Sequence, residues 1–174
     1  MYDIELLNEI RDALGNSGES LAVAESVTSG HLQAAISSAE SASNFYQGGI
    51  TAYNLGQKCR HLNIDPIKGA SCDCVSQEIA IEMARQVCKL FTCNWGIGIT
   101  GYATPMPELD AQDPYSFFAI VHNDETIVSR KVFAKQDETA KVQLFFVNTV
   151  LAALHDSAVP HTAVNSKTHL LQNK

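Results

Sequence analysis

The sequence predicts an α/β protein: a three-layer α/β/α sandwich around a mixed, mostly parallel five-stranded sheet. Short apolar runs of strand length alternate with longer segments whose apolar residues recur at helical spacing. That alternation favours parallel strand pairs with helices on both faces of the sheet. The last two predicted strands follow each other through a short turn, which adds an antiparallel hairpin. The length of 174 residues suits one domain with a sizeable core.

The first half of the chain contains three predicted helices and two predicted strands. A helix is predicted over 3–14 because Leu7, Ile10 and Leu14 recur at helical spacing. The run LAVAE at 21–25 is short, apolar and bounded by turn-forming residues, which predicts a buried strand. The remaining elements are a helix that begins at Thr28, a strand over 48–53 and a short polar helix or turn over 54–62.

The second half begins with a predicted loop over 63–74, which contains a proline and a glycine. Ser76 is expected to cap a long helix, and the next strand covers 94–101. The remaining elements are a hairpin of strands 115–122 and 126–133 and a last helix that starts at Asp137. The predicted core faces of the two helices carry Ile79, Met83, Val87 and Leu90, and then Val142, Phe145, Thr149 and Ala153.

The chain divides into a single domain, residues 1–156, and a C-terminal tail, residues 157–174. The tail carries no apolar face for the core, so a neighbouring surface or subunit is its candidate docking place. No internal repeat, low-complexity block or linker divides the sequence further.

Charge and composition exclude several classes of partner. The formal net charge is −7 and the isoelectric point is near 5.2, so Lys and Arg are too few to cover nucleic-acid phosphates. The first residues do not have the pattern of a secretion signal, and no apolar run reaches the ~20 residues that span a membrane. We therefore expect a cytoplasmic protein that binds neither nucleic acid nor membrane.

The five cysteines predict reduced thiols rather than disulfides or a metal centre. An odd number without a secretion signal is typical of a reducing compartment. Cys59, His61, Cys72 and Cys74 are close in sequence, but their spacings differ from those of structural zinc motifs. No metal site is predicted.

Polar residues follow three of the predicted strands at the point where each strand ends. The three clusters cover 25–30, 53–58 and 100–105. Open α/β sheets bind ligands beyond the carboxyl ends of their strands, so these clusters predict the functional site. The first cluster also precedes a helix, whose N-terminal N–H groups favour a phosphate or a developing oxyanion.

Common short motifs do not identify the chemistry of this site. The Walker pattern, G-x-G-x-x-G and the G-x-S-x-G nucleophile elbow are all missing. The G-x-G formed by Gly96 and Gly98 lies inside a predicted strand, where close packing is its expected role.

Ser26 has two interpretations, as a nucleophile or as part of a helix cap. A nucleophilic serine needs a base, and the histidine nearest to the three polar clusters, His31, lies on the following helix rather than at a strand end. Lys58 is the better candidate base, provided that burial or a nearby cation lowers its pKa below the ~10.4 of free lysine. Tyr53 is placed to orient Lys58 or to relay a proton. In the other interpretation Ser26 or Thr28 caps the helix, Lys58 is solvated and Tyr53 packs, and the residues alone leave both open.

Four segments share the order and spacing of one family's motifs. They are AESVTSG at 24–30, ASNFYQGGITAYNLGQK at 42–58, CVSQEIA at 74–80 and TGYATP at 100–105. They resemble A-E-S-C-T-G-G, S-S-x-x-F-x-G-G-x-x-x-Y-S-N-x-x-K, A-V-S-x-x-x-A and T-G-I-A-G-P in the C-terminal domain of the competence/damage-inducible CinA family. The resemblance runs from about residue 3 to residue 155.

The resemblance implies a CinA-like fold, similar to that of anticodon-binding domains, and the activity of the family's characterised members. Those members are amidohydrolases that deamidate nicotinamide mononucleotide in pyridine-nucleotide salvage. By position, the resemblance makes Ser26 the nucleophile, Lys58 its base and Tyr53 a further catalytic residue. The residues that it implies to bind the small-molecule nucleotide are Thr28, Gly30, Ser43, Thr100 and Gly101. It also implies a homo-oligomer and neither metal nor cofactor.

The chain departs from the family pattern in two loops. The glycine-rich G-I-A-G-P-x-G-G is GYATPMPELD here, with Tyr102 and Thr104 in place of smaller residues. The F-P-G-D-R turn before the last helix is FAKQD, so Asp137 stands where an arginine is expected. If that arginine binds the substrate phosphate, the exchange removes a cation and adds an anion, and Lys135 is the nearest substitute.

These features leave three functions to distinguish. The first is a hydrolase acting on a linear carboxamide, the deamidation of nicotinamide mononucleotide by a Ser–Lys mechanism. The second is a catalytically degenerate relative that acts as a binding or regulatory protein. The third is an amidase with an altered substrate, which suits a retained Ser26–Lys58 pair beside a rebuilt phosphate loop. The intact Ser26, Tyr53 and Lys58 favour the first.

Overall fold

Five strands form one mixed sheet in the computed structural model, which describes residues 1–109 and 111–159. They are β1 (Leu21–Glu25), β2 (Tyr46–Thr51), β3 (Trp95–Tyr102), β4 (Tyr115–His122) and β5 (Glu125–Phe133). Their order is β2-β1-β3-β4-β5, with β1 parallel to β2 and β3 and with antiparallel pairs β3–β4 and β4–β5. Strand β4 therefore runs against the other four. The predicted mixed, mostly parallel sheet is confirmed.

Helices cover both faces of the sheet. Over the described residues they are α1 (Ile4–Ser17), α2 (His31–Ser37), α3 (Leu55–Leu62), α4 (Pro66–Ser71), α5 (Gln77–Phe91) and α6 (Thr139–Ala158). Helices α1, α2 and α6 pack against one face, where Val23 and Ile97 point. Helices α3 and α5 pack against the other face, where Ala22 and Ala24 point, and α4 packs against α3. Alternate residues of β1 thus face opposite layers, as the pleat requires, and the three-layer sandwich is confirmed.

Two glycines of β3 bring α5 close to the sheet, as the sequence predicts. A Cβ atom at Gly96 would lie 2.2 Å from the carbonyl oxygen of Ala84, and one at Gly98 would lie 2.2 Å from that of Ala80. Such distances are far shorter than van der Waals contact. Only glycine therefore fits at these two positions.

The structure corrects the predicted bounds of some elements. The predicted loop 63–74 contains helix α4, which Asp65 caps by accepting a hydrogen bond from the N–H of Lys68 at 2.8 Å. Pro66 occupies the first helical position, where its missing N–H costs nothing. Helix α2 begins at His31 rather than Thr28, because the turn 27–30 separates it from β1.

Three predicted core positions are wrong. Leu90 is 52% exposed, and its neighbour Phe91 packs against the core instead. Phe145 is 46% exposed, while Phe146 is buried. Thr149 is half-buried, and its hydroxyl donates to the carbonyl of Phe145 at 2.8 Å. In both helices the buried residue lies one position after the predicted one. An α-helix has 3.6 residues per turn, so a fixed spacing of three or four residues gradually leaves the buried face of a long helix.

The C-terminal end of the described chain belongs to α6. This helix ends at Ala158, so residues 157 and 158 of the predicted tail are helical. The rest of the predicted tail, from 160 onward, lies outside the described residues. Within the described residues, no helix combines the length and apolarity needed to cross a membrane.

Candidate active site

A cavity of about 470 Å³ lies at the carboxyl ends of β1, β2 and β3, where the sequence predicts the functional site. The three polar clusters all contribute to it. Its lining residues are Ser26, Val27, Ser29, Tyr53, Asn54, Leu55, Lys58, Asp73, Cys74, Val75, Gly101, Tyr102, Ala103, Thr104, Met106, Thr139 and Gln143. The volume is in the usual range for sites that bind small molecules.

Ser26 follows directly after the last residue of β1 and is nearly buried, at 5% exposed. Its N–H donates to the carbonyl of Ile99 on β3 at 3.1 Å, which fixes the turn to the sheet. Its hydroxyl makes a long hydrogen bond, 3.5 Å, to the carbonyl of Tyr53. A weakly held serine hydroxyl that opens on a cavity is free to change its hydrogen-bond partner when a ligand arrives.

Lys58 lies in helix α3 and is almost completely buried, at 2% exposed. Its Nζ donates to Thr100 Oγ1 at 3.3 Å, and no carboxylate of the described residues forms an ion pair with it. Burial lowers the pKa of Lys58, and the more weakly acting Cys74, Asp73 and Cys72 oppose that change. A buried lysine without an ion pair is the form in which a lysine can act as a base near neutral pH.

Thr100 connects Lys58 to the loop before helix α5. Its hydroxyl donates to the carbonyl of Cys74 at 2.8 Å, and the whole side chain is buried. Because the single hydroxyl proton of Thr100 is used in that bond, its oxygen can only accept the hydrogen bond from Lys58. Thr100 therefore positions the amine without lining the cavity itself.

Among the described residues, no hydrogen bond joins Ser26 Oγ to Lys58 Nζ. Both side chains line the same cavity, so the predicted nucleophile and base are in one site. Hydrogen bonds between catalytic groups commonly shorten only when a substrate is bound.

The N-terminus of helix α2 is capped by Glu25, a buried residue that the sequence interpretation missed. Its carboxylate accepts from the Thr28 hydroxyl at 2.6 Å and from the N–H groups of Gly30, Leu32 and Gln33 at 3.2, 3.0 and 2.9 Å. The expectation that these helical N–H groups hold a phosphate or an oxyanion is therefore wrong. The sequence feature that could have predicted this cap is a carboxylate, Glu25, at the end of an apolar strand and a few residues before a helix.

Two backbone N–H groups of the turn after Ser26 remain available. Within the described part of the chain, the N–H groups of Val27 and Thr28 have no hydrogen-bond partner. Val27 also lines the cavity. The N–H of Val27, directly after Ser26, is therefore the candidate donor to a negative charge on an attacked carbonyl oxygen.

Thr28 and Gly30 act through Glu25 and the backbone. The Thr28 hydroxyl is bonded to Glu25, and neither residue lines the cavity. Gly30 has a φ of 98°, in the region that glycine adopts readily, and it ends the turn as the N-cap residue of α2. The neighbouring Ser29, where the family pattern has glycine, also has a positive φ of 51°.

Tyr53 lies at the exposed rim of the cavity. The residue is 72% exposed, and its hydroxyl has no hydrogen bond to Lys58 or to Ser26 among the described residues. Its backbone carbonyl is the part that receives the Ser26 hydroxyl. The structure therefore provides an aromatic wall at this position rather than an orienting contact to Lys58.

Gly101 and Ser43 differ in their relation to the site. Gly101 lines the cavity, and a Cβ atom there would lie 2.3 Å from the carbonyl oxygen of Tyr115. Ser43 is exposed in the short 3-10 turn Ala42–Asn44, which precedes β2. Since the cavity lies at the carboxyl end of the strands, Ser43 is at the opposite edge of the sheet and does not join the other predicted residues.

A hydrogen-bonded pair, Asp73 and Tyr102, lines one side of the cavity. The Tyr102 hydroxyl donates to Asp73 Oδ2 at 2.6 Å. The Tyr102 ring also makes an edge contact with the Tyr115 ring, with centroids 5.5 Å apart. Burial raises the pKa of Tyr102, and the bond to Asp73 adds to this effect, so the hydroxyl stays a donor.

The five cysteines are all free thiols in the described residues. In the same part of the chain, no group of three or more His, Cys, Asp or Glu side chains has the arrangement of a metal site.

Comparison with known proteins places the chain in a family. The sequence profile of the CinA C-terminal domain matches residues 3–158. The chain belongs to the CinA C-terminal domain family. The predicted resemblance is confirmed.

CinA relatives match this chain over part of their own length. A CinA-like protein of Picosynechococcus sp. is 37% identical over 115 residues, which cover 66% of this chain and 27% of that protein. A putative competence-damage inducible protein of Streptococcus equi subsp. zooepidemicus is 33% identical over 130 residues, 75% of this chain and 30% of that protein. The chain thus spans less than a third of the length of these relatives.

Solved structures of CinA proteins have the same fold. The competence damage-inducible protein A of Klebsiella pneumoniae superposes with a TM-score of 0.84 at 27% identity, covering 90% of this chain and 96% of that chain. A CinA superfamily protein of Enterobacter cloacae superposes with a TM-score of 0.83 at 27% identity, over 90% and 92%.

Asp137 stands where the CinA pattern has an arginine, and its side chain contacts the start of α6. Asp137 Oδ1 accepts from the N–H of Glu138 at 2.8 Å and from Lys141 Nζ at 3.2 Å, at the start of α6. Asp137 does not line the cavity, and neither does Lys135, which is exposed. Among the described lining residues, Lys58 is the sole cation.

Proposed function

We propose that this chain is an amidohydrolase that deamidates nicotinamide mononucleotide to nicotinic acid mononucleotide, with Ser26 as nucleophile and Lys58 as base. One observation carries the proposal: Ser26 and a buried lysine without an ion pair line the same cavity. Membership of the CinA family supports the choice of substrate.

In the first step, neutral Lys58 accepts the proton of the Ser26 hydroxyl while the oxygen attacks the carboxamide carbon. Burial favours the neutral amine, and the bond from Lys58 to Thr100 restrains the direction of its lone pair. A new C–O bond forms, and the electron pair of the C=O bond moves to the carbonyl oxygen.

The resulting oxyanion needs donors that are already in place. The N–H of Val27, which lines the cavity, is the candidate, because Glu25 occupies those of Gly30, Leu32 and Gln33. Donors fixed before the reaction stabilise the developing charge without reorganisation.

Collapse of the tetrahedral intermediate breaks the C–N bond. The Lys58 ammonium returns its proton to the leaving nitrogen, which departs as ammonia and leaves an ester on Ser26. Water then attacks the ester with Lys58 again as base. The C–O bond to Ser26 breaks, the serine recovers its proton, and the carboxylate product is released.

A second candidate is an amidase whose substrate has no phosphate. The observation that favours it is the charge of the cavity: Lys58 is the sole cation among the described lining residues, and Asp137 replaces the expected arginine. A phosphate would then find no arginine to bind it.

Ammonia release from nicotinamide mononucleotide and from nicotinamide riboside, measured side by side, tests these candidates. The proposed function predicts turnover of the mononucleotide with a kcat/KM equal to or above that of the riboside. Turnover of the riboside alone supports the second candidate. Binding of either ligand without ammonia release contradicts both and supports a catalytically degenerate binding protein.

A further inference from the structure

Asp73 and Lys58 are the charged side chains among the described residues that line the cavity. When Lys58 acts as a base it is neutral. Asp73 is then the only formal charge on the described cavity wall. A cavity with one carboxylate favours a cation over a neutral or anionic group of the same shape.

The backbone holds Asp73 firmly in this position. Asp73 and Cys74 have positive φ angles of 49° and 56°, a left-handed conformation that few residues other than glycine adopt. The Cys74 N–H donates to the carbonyl of Gly69 at 2.8 Å, and the carbonyl of Cys74 accepts from the Thr100 hydroxyl at 2.8 Å. Two buried contacts therefore fix the turn that presents Asp73.

The Asp73 side chain is fixed as well. Oδ2 accepts the Tyr102 hydroxyl at 2.6 Å, while Oδ1 has no hydrogen-bond partner among the described residues. The Tyr102 ring, held by Asp73 and by Tyr115, lines the cavity, and Tyr53 forms a second aromatic wall at the rim. Aromatic faces and a carboxylate together form a favourable environment for an organic cation.

We propose that Asp73, with Tyr102, is a specificity-determining residue that selects a positively charged aromatic ring as the carboxamide-bearing part of the substrate. This inference rests on the proposed function, in which the ring is a pyridinium. In this view Asp73 and Tyr102 recognise the charge of the ring, while Ser26 reacts with the carboxamide. It also gives a role to Asp73, the only carboxylate among the described residues that line the cavity.

Ligand binding without turnover tests the inference. In a Ser26→Ala background, calorimetry compares nicotinamide mononucleotide with its reduced dihydro form, which has the same ribose and phosphate but a neutral ring. We expect the cationic form to bind about fivefold to tenfold more tightly. Replacing Asp73 by Asn should reduce this ratio to about one, because it removes the negative charge. The local structure should be kept, since Asn retains an acceptor oxygen for the Tyr102 hydroxyl and tolerates a positive φ.

Asp124→Asn is the matched control. Asp124 also has a positive φ, 69°, and lies in the β4–β5 turn, at the edge of the sheet opposite the cavity. The same change in net charge there should leave the ratio unaltered. In the protein with unchanged Asp73, higher ionic strength should also lower the ratio.

Equal binding of the two forms, no binding of either form, or a preference that survives Asp73→Asn overturns the inference. The first and third of these outcomes leave the proposed function standing, because the measurement requires no ammonia release. Conversely, an enzyme that fails to release ammonia but prefers the cationic ring through Asp73 contradicts the proposed function and retains the specificity site.

Discussion

Lys58 Nζ donates a hydrogen bond to Thr100 Oγ1 across 3.3 Å, and both side chains are buried. The Thr100 hydroxyl is itself committed to the carbonyl of Cys74. This chain of contacts holds the candidate base in one orientation at the wall of the cavity. Proton transfer from Ser26 to Lys58 requires that the amine keeps this orientation.

Replacing Thr100 by Val should lower kcat by about tenfold to a hundredfold, because the amine of Lys58 loses its positioning acceptor. KM should change little, since Thr100 does not line the cavity. Steady-state kinetics of ammonia release measure both constants. Thr100→Ser keeps the hydroxyl and should retain most of the activity, and a Val variant with the kcat of the wild type would contradict this role.

The pH profile of kcat/KM should report the state of Lys58. Because burial lowers the pKa of Lys58, activity should rise with pH and reach its plateau below the ~10.4 of free lysine. Asp73 raises the pKa of Lys58, so its replacement by Asn removes a negative charge that favours the ammonium form.

The rising limb of the Asp73→Asn profile should therefore lie at lower pH than that of the wild type. Asp124→Asn should leave the limb in place, since Asp124 lies at the far edge of the sheet. A limb that stays in place in the Asp73 variant, or that moves to higher pH, would contradict this effect of Asp73 on the pKa of Lys58.

Replacing Glu25 by Gln should lower the free energy of unfolding by about 2 kcal/mol. An amide leaves one oxygen where the carboxylate accepts one hydroxyl and three N–H groups, so donors of the buried α2 N-terminus lose their partner. Urea unfolding at neutral pH measures the difference. Glu40→Gln, at an exposed surface ion pair with Arg11, should cost less than about 0.5 kcal/mol. Equal effects of the two variants would contradict the capping role.

Two glycine-to-alanine changes should have opposite effects on stability. Gly96→Ala places a Cβ atom 2.2 Å from the carbonyl oxygen of Ala84 and should destabilise by about 3 kcal/mol, because backbone must move. Gly15→Ala lies in helix α1, where a Cβ atom has nothing within 4 Å, and should stabilise by about 0.5–1 kcal/mol. Thermal or urea unfolding of both variants checks the signs, and a neutral Gly96→Ala would contradict the close approach of α5.

Much of the fold is predictable because its signals are local. Strands β1 and β4 coincide with the predicted runs 21–25 and 115–122, since apolar residues between turn signals define them without reference to the rest of the chain. The face of a long helix is less predictable. Phe145 and Phe146 are adjacent, and only contact with the sheet decides which of them is buried.

The site is predictable in part for the same reason. Parallel strands bring their carboxyl ends together, which places Ser26 and Lys58 at one cavity. The cap formed by Glu25 depends on a carboxylate that turns back toward N–H groups five to eight residues later, which no spacing rule specifies. The contact of Asp73 with Tyr102 joins residues 29 positions apart and is visible only in three dimensions.

The most direct test of the catalytic claim compares ammonia release from nicotinamide mononucleotide by three proteins: the wild type, Ser26→Ala and Ser29→Ala. Ser29 is the matched control, because it lines the same cavity three residues later. We expect turnover by the wild type, a loss of at least about a thousandfold in Ser26→Ala and a much smaller loss in Ser29→Ala. Ammonia release by Ser26→Ala at the rate of the wild type, or no release by any of the three, would contradict it.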